Sequence, residues 1–204
     1  MPKISQVSTS DISIPCTYFK EPGRENTEKT LKSVLRRAEE LGVRSIVVAT
    51  TTGKTGVMAA QLFRSKNLVV VTHSTGFVEP DHQELKPELR AKIEEAGGKI
   101  LTCQHTLGGV GRAVRKKLGT YELEEIVAYT LRIFGEGTKV AVEIAIMAAD
   151  AGLISTKELC IAVGGTGRGA DTAILLLPAH AQNFFDTRII EYIAKPRLSD
   201  INFC

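Results

Sequence analysis

Four short apolar runs, each delivering the chain into a polar or glycine-bearing loop, constrain this sequence more than any other feature. They are Ser45–Ala49, Leu68–Thr72, Lys99–Cys103 and Leu159–Val163. Ser45–Ala49 and Leu68–Thr72 show no apolar–polar alternation, and a run of that kind reads as a parallel strand covered on both faces. Helical patterns separate the runs. One begins near Asn26, a favoured N-cap, carries Leu31, Val34, Leu35, Ala38 and Leu41 at helical spacing, and stops at Gly42. A second covers about 57–66, and a third runs from Pro87 to about Ala96. Strand, helix and strand in this order make βαβ units with right-handed crossovers. Beyond Cys103 the pattern turns helical, opening at Gly108–Arg112. Glu122–Phe134 and Thr138–Ala151 read as two helices, the second apolar on nearly every side and therefore buried. Thr172–Leu177 is a further apolar run, and Arg188–Ala194 alternates in the manner of a sheet edge. Segment 1–25, with Pro2, Pro15 and Glu21-Pro22-Gly23, reads as irregular. With no repeat or linker in view, the expectation is one α/β domain over residues 1–204, a three-layer α/β/α sandwich.

Composition removes several function classes. Lys and Arg total 26 against 23 Asp and Glu, a net charge of +3 over 204 residues. Apart from Arg112, Arg115, Lys116 and Lys117 the cations are scattered, aromatic residues are 5%, and Trp is absent. A nucleic-acid groove needs clustered cations with stacking rings, so no nucleic-acid partner is expected. The basic group reads as a solvated helix face. No apolar run approaches about 18 residues, so no membrane span is expected. The N-terminus lacks the apolar core of a signal peptide, and a cytoplasmic location is expected. Cys16, Cys103, Cys160 and Cys204 form no CxxC pair. They read as reduced thiols, with a reactive Cys16 or Cys103 as the alternative, and no metal site is expected.

The loops carry the chemistry. In open parallel sheets ligands bind outside the carboxyl ends of the strands, near a switch in strand order. Every polar loop here leaves such an end. The first, Thr50, Thr51, Thr52, Gly53, Lys54, Thr55 and Gly56, combines small residues, hydroxyls and a cation before a helix N-terminus. That is the chemistry of a phosphate cradle, although a plain turn rich in small residues has the same letters. It is not a Walker A loop, because Val48 stands where the first glycine is required. Gly165, Thr166, Gly167, Arg168, Gly169 and Asp171 form either a glycine-rich wall of the same pocket or a tight turn between strands. Arg168 is the residue there able to pair with an anion. Thr72, His73, Gly76 and His105 leave two neighbouring strands. The histidines suit acid–base work or hydrogen bonding to a ligand. With no carboxylate placed beside them by sequence, a polar pocket role is the reading. Asn26 joins the set if the N-terminal segment folds over this edge. Glu143, alone in its apolar helix, reads either as facing the site or as part of an exposed stripe with Lys139 and Asp150. The exposed stripe is the expectation.

The stretch IVVATTTGKTGVMAAQLFRSKNLVVVTHSTG at 46–76 resembles the C-terminal α/β domain of pyruvate kinase. The closer resemblance is to small pyruvate kinase α/β-domain-like proteins, mostly archaeal. It is carried by PGRENTE at 22–28, THSTGF at 72–77, GGVGR at 108–112, VEIAIMAADAGLI at 142–154, GGTGRGADTA at 164–173 and AKPR at 194–197. The resemblance implies a mostly parallel sheet of order 3-2-1-4-5 with its last strand antiparallel. In eukaryotic pyruvate kinases the matching loop holds the phosphate of an allosteric sugar bisphosphate, a role that carries over to Thr50–Gly56. It also implies a phosphorylated ligand, with flavin mononucleotide (FMN) as the specific expectation, in a flavin-dependent enzyme or carrier. Pyruvate kinase turnover is not implied, because that enzyme keeps its metal, phosphoenolpyruvate and ADP sites in other domains. The alternative is a non-catalytic regulatory or assembly module that senses a metabolite or binds a protein partner. A homodimer or higher homo-oligomer is compatible with the apolar helix and the edge strand.

Overall fold

A computed structural model describes residues 11–197. Seven strands form one sheet, in the order β1-β7-β6-β5-β2-β3-β4. They are β1 (Thr17–Phe19), β2 (Ser45–Ala49), β3 (Asn67–Val71), β4 (Lys99–Leu101), β5 (Cys160–Gly164), β6 (Thr172–Leu177) and β7 (Arg188–Pro196). The pairs β2–β3, β3–β4, β2–β5 and β1–β7 are parallel, while β5–β6 and β6–β7 are antiparallel. Two successive reversals leave β6 alone running against the rest. The expected order 3-2-1-4-5 is therefore found in β4-β3-β2-β5-β6, with β6 its antiparallel member.

The sheet extends two strands further. Ala194–Pro196 of β7 pairs with Thr17–Phe19, so β7 is covered along part of its outer edge and segment 1–25 is not wholly irregular. A three-residue strand is too short for periodicity to appear, and only its partner reveals it.

The βαβ crossovers put α1 (Thr27–Glu40), α2 (Lys54–Leu62) and α3 (Pro87–Glu95) on one face. Leu31, Val34, Phe63 and Ile93 meet Ile46, Val48, Val70 and Val163 there. The second face is covered by α6 (Glu136–Asp150), which seats Ile144, Ile146 and Met147 among residues of a core that includes Val47, Val69, Ala162 and Ile174. Alternate residues of each strand thus feed opposite cores, which is why the strand sequences lack alternation. Helices α4 (Gly109–Leu118) and α5 (Leu123–Arg132) lie outside α6. Arg37 of α1 grips Glu191 of β7 with two hydrogen bonds of 2.8 and 2.9 Å.

Helix α2 begins at Lys54 rather than near 57. Gly53 takes φ +104°, which turns the chain abruptly from loop to helix, and a Cβ there would lie 2.7 Å from Leu85 and Leu89. Lys54, Thr55 and Gly56 therefore belong to the first helical turn, with their amides directed out of the helix.

The edge formed by the carboxyl ends of β2, β3, β4 and β5 also holds the amino end of β6. Asp171 sits there, fully buried. Its carboxylate accepts from the Gly23 amide (2.9 Å), the Thr166 amide (3.1 Å) and the Thr172 hydroxyl (2.8 Å). Thr27 adds a second tie, accepting from the Ala170 amide at 3.0 Å and donating to the Arg24 carbonyl at 2.6 Å. The N-terminal segment is thereby laid against the glycine loop at 164–171. Gly169, at φ +79°, passes so near that a Cβ would lie 2.4 Å from the Arg24 Cα. Replacing Asp171 by Ala leaves two amides and a hydroxyl without their buried acceptor. We expect a loss of about 3 kcal/mol or more in urea unfolding, and a smaller loss for Asp171→Asn, which keeps one acceptor oxygen.

Candidate functional site

A cleft of about 750 Å³ opens at this edge. It lies where the chain has moved from β2 to β3 on one side and returned to β5 on the other, the switch point of the sheet. Its first wall is the loop after β2 and the start of α2, contributing Thr50, Thr51, Thr52, Lys54, Thr55 and Met58. The Thr50 hydroxyl accepts from the Gly56 amide at 3.3 Å and Thr52 accepts from the Lys86 amide at 3.3 Å, which fixes the loop. The amides of Thr51, Thr52, Gly53, Lys54 and Thr55 donate to no described residue. Lys54, Lys86, Arg112 and Arg168 line the cleft too, and none forms an ion pair with a described carboxylate.

The opposite wall is α6. Lys139 and Glu143, 3% and 2% exposed, are one helical turn apart and face the cleft, with Lys139 Nζ 2.5 Å from Glu143 Oε2. The Leu107 amide donates to the other carboxylate oxygen at 3.0 Å. His105 Nδ1 stands 3.6 Å from Glu143 Oε2, too far for a hydrogen bond and close enough for charge attraction. Burial pushes the Glu143 carboxyl up, but His105 and Lys139 together outweigh burial and hold it at about 2. The exposed-stripe expectation for Glu143 and Lys139 is therefore corrected. Both are buried against the cleft, while Asp150, the third member, is exposed and bonds to His180 and the Ala181 amide.

A ring cluster closes one end. Phe77 lies 4.1 Å from the His73 ring and 5.1 Å from the His105 ring, and the Arg112 guanidinium sits 4.8 Å over Phe77. Arg112 is thus not part of a solvated basic face, as its sequence neighbourhood suggested. Lys116 and Lys117 are. His73 has a carboxylate after all, with Nδ1 2.6 Å from Glu84 Oε2.

The model of the pyruvate kinase alpha/beta domain matches residues 28–176. The chain belongs to the pyruvate kinase alpha/beta domain family. Among solved structures, a pyruvate kinase from Cryptosporidium parvum is 17% identical, over 74% of this chain and 23% of that one, with a TM-score of 0.38. The same organism's pyruvate kinase in complex with ADP is 16% identical, over 80% and 23%, with a TM-score of 0.37. An O-ureido-L-serine synthase is 19% identical, over 61% and 48%, with a TM-score of 0.30. The chain spans about a quarter of the length of these pyruvate kinases, and none of these likenesses transfers an activity.

Within this family domain the cleft brings together Thr50, Thr51, Thr52, Lys54, Thr55, Thr72, His73, His105, Gly165, Gly167, Arg168 and Gly169. Six other residues singled out by sequence do not line it. Gly53 shapes the turn, and Gly56 packs on Ile93 and Val70. Gly76 lies in the exposed part of the 73–86 loop. The Asn26 side chain donates to the Glu21 carbonyl at 2.8 Å. Thr166 and Asp171 bond to each other behind the glycine wall. Arg24, Thr27, Phe77, Arg112, Arg132, Glu136 and Lys139 line the cleft although the sequence did not single them out as site residues, and Arg24 and Thr27 precede the residues matched to the family. Burial raises the thiols of Cys16 and Cys103 and pushes Cys160 up to about 12, which argues against a reactive cysteine. Cys204 lies outside the described residues. Among the described residues, no cluster of three His, Cys, Asp or Glu is arranged to hold a metal, and no helix is long and apolar enough to cross a membrane.

Glu143 sets an acid limit on the cleft. Its carboxyl is depressed from 4.5 to about 2, so the stability it contributes is complete above pH 4.5 and is lost as pH falls toward 2. Glu143→Gln removes that contribution at every pH and leaves Lys139 buried without its counter-charge. Urea unfolding across pH 2–7 is expected to show roughly 3–5 kcal/mol lost at pH 7 and a shallower acid limb than in the wild type.

Proposed function

We propose that this domain binds a phosphate-bearing small molecule in the cleft, with the phosphate at the loop 50–56. The observation that carries this reading is a coincidence of donors without acceptors. Four of the free amides, those of Thr51, Thr52, Lys54 and Thr55 at the start of a nine-residue helix, belong to residues of one cleft wall together with the Lys54 side chain, and Lys86 and Arg168 line the same space without described carboxylate partners. Oriented amides, the positive end of a helix dipole and unpaired cations all favour a multiply charged oxyanion. A cleft of about 750 Å³ is the right size for a metabolite and too small for a macromolecule.

FMN is the specific candidate. It carries a phosphate at one end and a planar conjugated ring at the other, and the rings of His73, Phe77 and His105, packed against one another at interplanar angles of 25–48°, gather aromatic groups in the same cleft. The protein would then be a flavin-dependent enzyme or a flavin carrier, not a pyruvate kinase. A second reading, an assembly module, is favoured by the outer face of α5. Leu123, Ile126 and Ile133 are 75%, 53% and 77% exposed there, an apolar stripe that a second copy of the chain would cover. The helix α6, which the sequence offered for that role, is spent on the internal core.

Protein purified without added ligand should show flavin absorbance. Failing that, FMN at about 100 times its Kd should raise Tm by roughly 5–10 °C. Thr52→Asp puts a carboxylate into the cradle and should abolish that shift while leaving the melting temperature of the free protein within about 2 °C. An unchanged FMN response in Thr52→Asp removes the phosphate from this loop. Dimerisation in sedimentation with no response to FMN or other phosphorylated metabolites favours the assembly module.

A further inference from the structure

The cleft holds a group that anion binding alone does not explain. His105 lines it, its side chain is 12% exposed, and both ring nitrogens are shielded from solvent with no hydrogen-bond partner among the described residues. Buried polar atoms in native proteins are nearly always paired, so two orphans on one imidazole mark a group kept for a ligand. The charged surroundings of the ring are specific. From α6 it faces the Glu143 carboxylate, with Lys139 behind. From the loop after β3 it faces His73, which is itself tied to Glu84, and Phe77, with Arg112 of α4 beyond.

We propose that His105 and Glu143 form an acid–base dyad, in which His105 exchanges a proton with the phosphate-bearing ligand and Glu143 positions the ring. This inference rests on the proposed ligand class and adds a reactive role to the same cleft. Glu143 is the positioning residue. One of its oxygens is held by the Leu107 amide and the other by Lys139, so the carboxylate is fixed in place and stays ionised. Its Oε2 lies 3.6 Å from Nδ1, and a shift of about half an ångström makes that contact a hydrogen bond. The neutral imidazole then carries its proton on Nδ1, and the Nε2 lone pair is left free. A ligand O–H, or a C–H beside a carbonyl, gives its proton to Nε2. The bonding pair stays on the ligand and the imidazolium is stabilised by Glu143. Return of the proton to the ligand restores the imidazole, so the cycle consumes no co-reactant. The Lys139 ammonium offsets the standing carboxylate charge, so the dyad lies in a region near neutrality until the imidazolium forms.

The test is the tautomer of His105, read by long-range nitrogen–proton NMR on the whole protein near neutral pH. The expected result is a dominant Nδ1–H form in the wild type that falls to a mixture in Glu143→Gln. FMN, used as the probe, should move both the amides of 51–55 and the His105 Nε2 resonance. A dominant Nε2–H form in the wild type overturns the dyad, and this measurement needs neither ligand nor a folded variant. Movement of the 51–55 amides by FMN with no response at Nε2 also overturns it. If FMN moves neither, the FMN assignment fails while the wild-type tautomer still decides the dyad. If Glu143→Gln does not fold, Glu143→Asp, which keeps the charge and draws it back, should weaken the Nδ1–H preference without abolishing it.

Discussion

One buried carboxylate holds the cleft together. Asp171, at the amino end of the reversed strand β6, reaches the N-terminal segment at Gly23, the glycine loop at Thr166 and the strand itself at Thr172. A fully buried charge is tolerated only when its oxygens are well supplied with donors. Here those donors come from three parts of the chain, the farthest 148 positions from Asp171. Satisfying Asp171 therefore brings Arg24 and Thr27 to the mouth of the cleft and sets the path of Gly165–Gly169 along its wall. A single reversed strand in an otherwise parallel sheet puts Asp171 at the edge where β2 to β5 end.

The opposite wall depends on a second carboxylate in a harsher setting. Helix α6 is buried along almost its whole length because it lies between the sheet and α5. Lys139 and Glu143 cost solvation there, which their mutual contact and the Leu107 amide offset. The cleft then has two electrostatic characters. The side at α2 carries cations and amides without partners among the described residues, while the α6 side is internally compensated and presents His105. The first suits an anion, and the second suits a neutral or reacting part of the same molecule.

Much of the scaffold was legible in the residues. The uninterrupted apolar runs marked β2, β3, β5 and β6, because a strand covered on both faces has no reason to alternate. Gly42, Pro87 and the glycine loops marked where elements stop and start. The convergence of loops at one edge followed from parallel strands alone. Other features lie at distances that sequence spacing does not encode. The strand β1 is defined by its pairing with β7. Glu143 looked like an exposed stripe because its helix partners, α5 and the sheet, are not visible in its own sequence. Glu84 and Glu143 reach His73 and His105 from 11 and 38 positions away, although no carboxylate stands beside either histidine in the chain. Arg112 looked solvated among basic neighbours and instead covers the Phe77 ring.

By itself the sequence determined the layer architecture and the edge at which polar loops gather, while the strand order came from the family resemblance. Hydrophobic periodicity and turn chemistry are local, and a parallel sheet leaves few ways to assemble them. The tertiary structure alone decided which polar groups face one another. Charge pairing, burial and the orphaned nitrogens of His105 are properties of the space between elements. Residues distant in the chain meet there, and low exposure makes the match of each donor to its acceptor decisive.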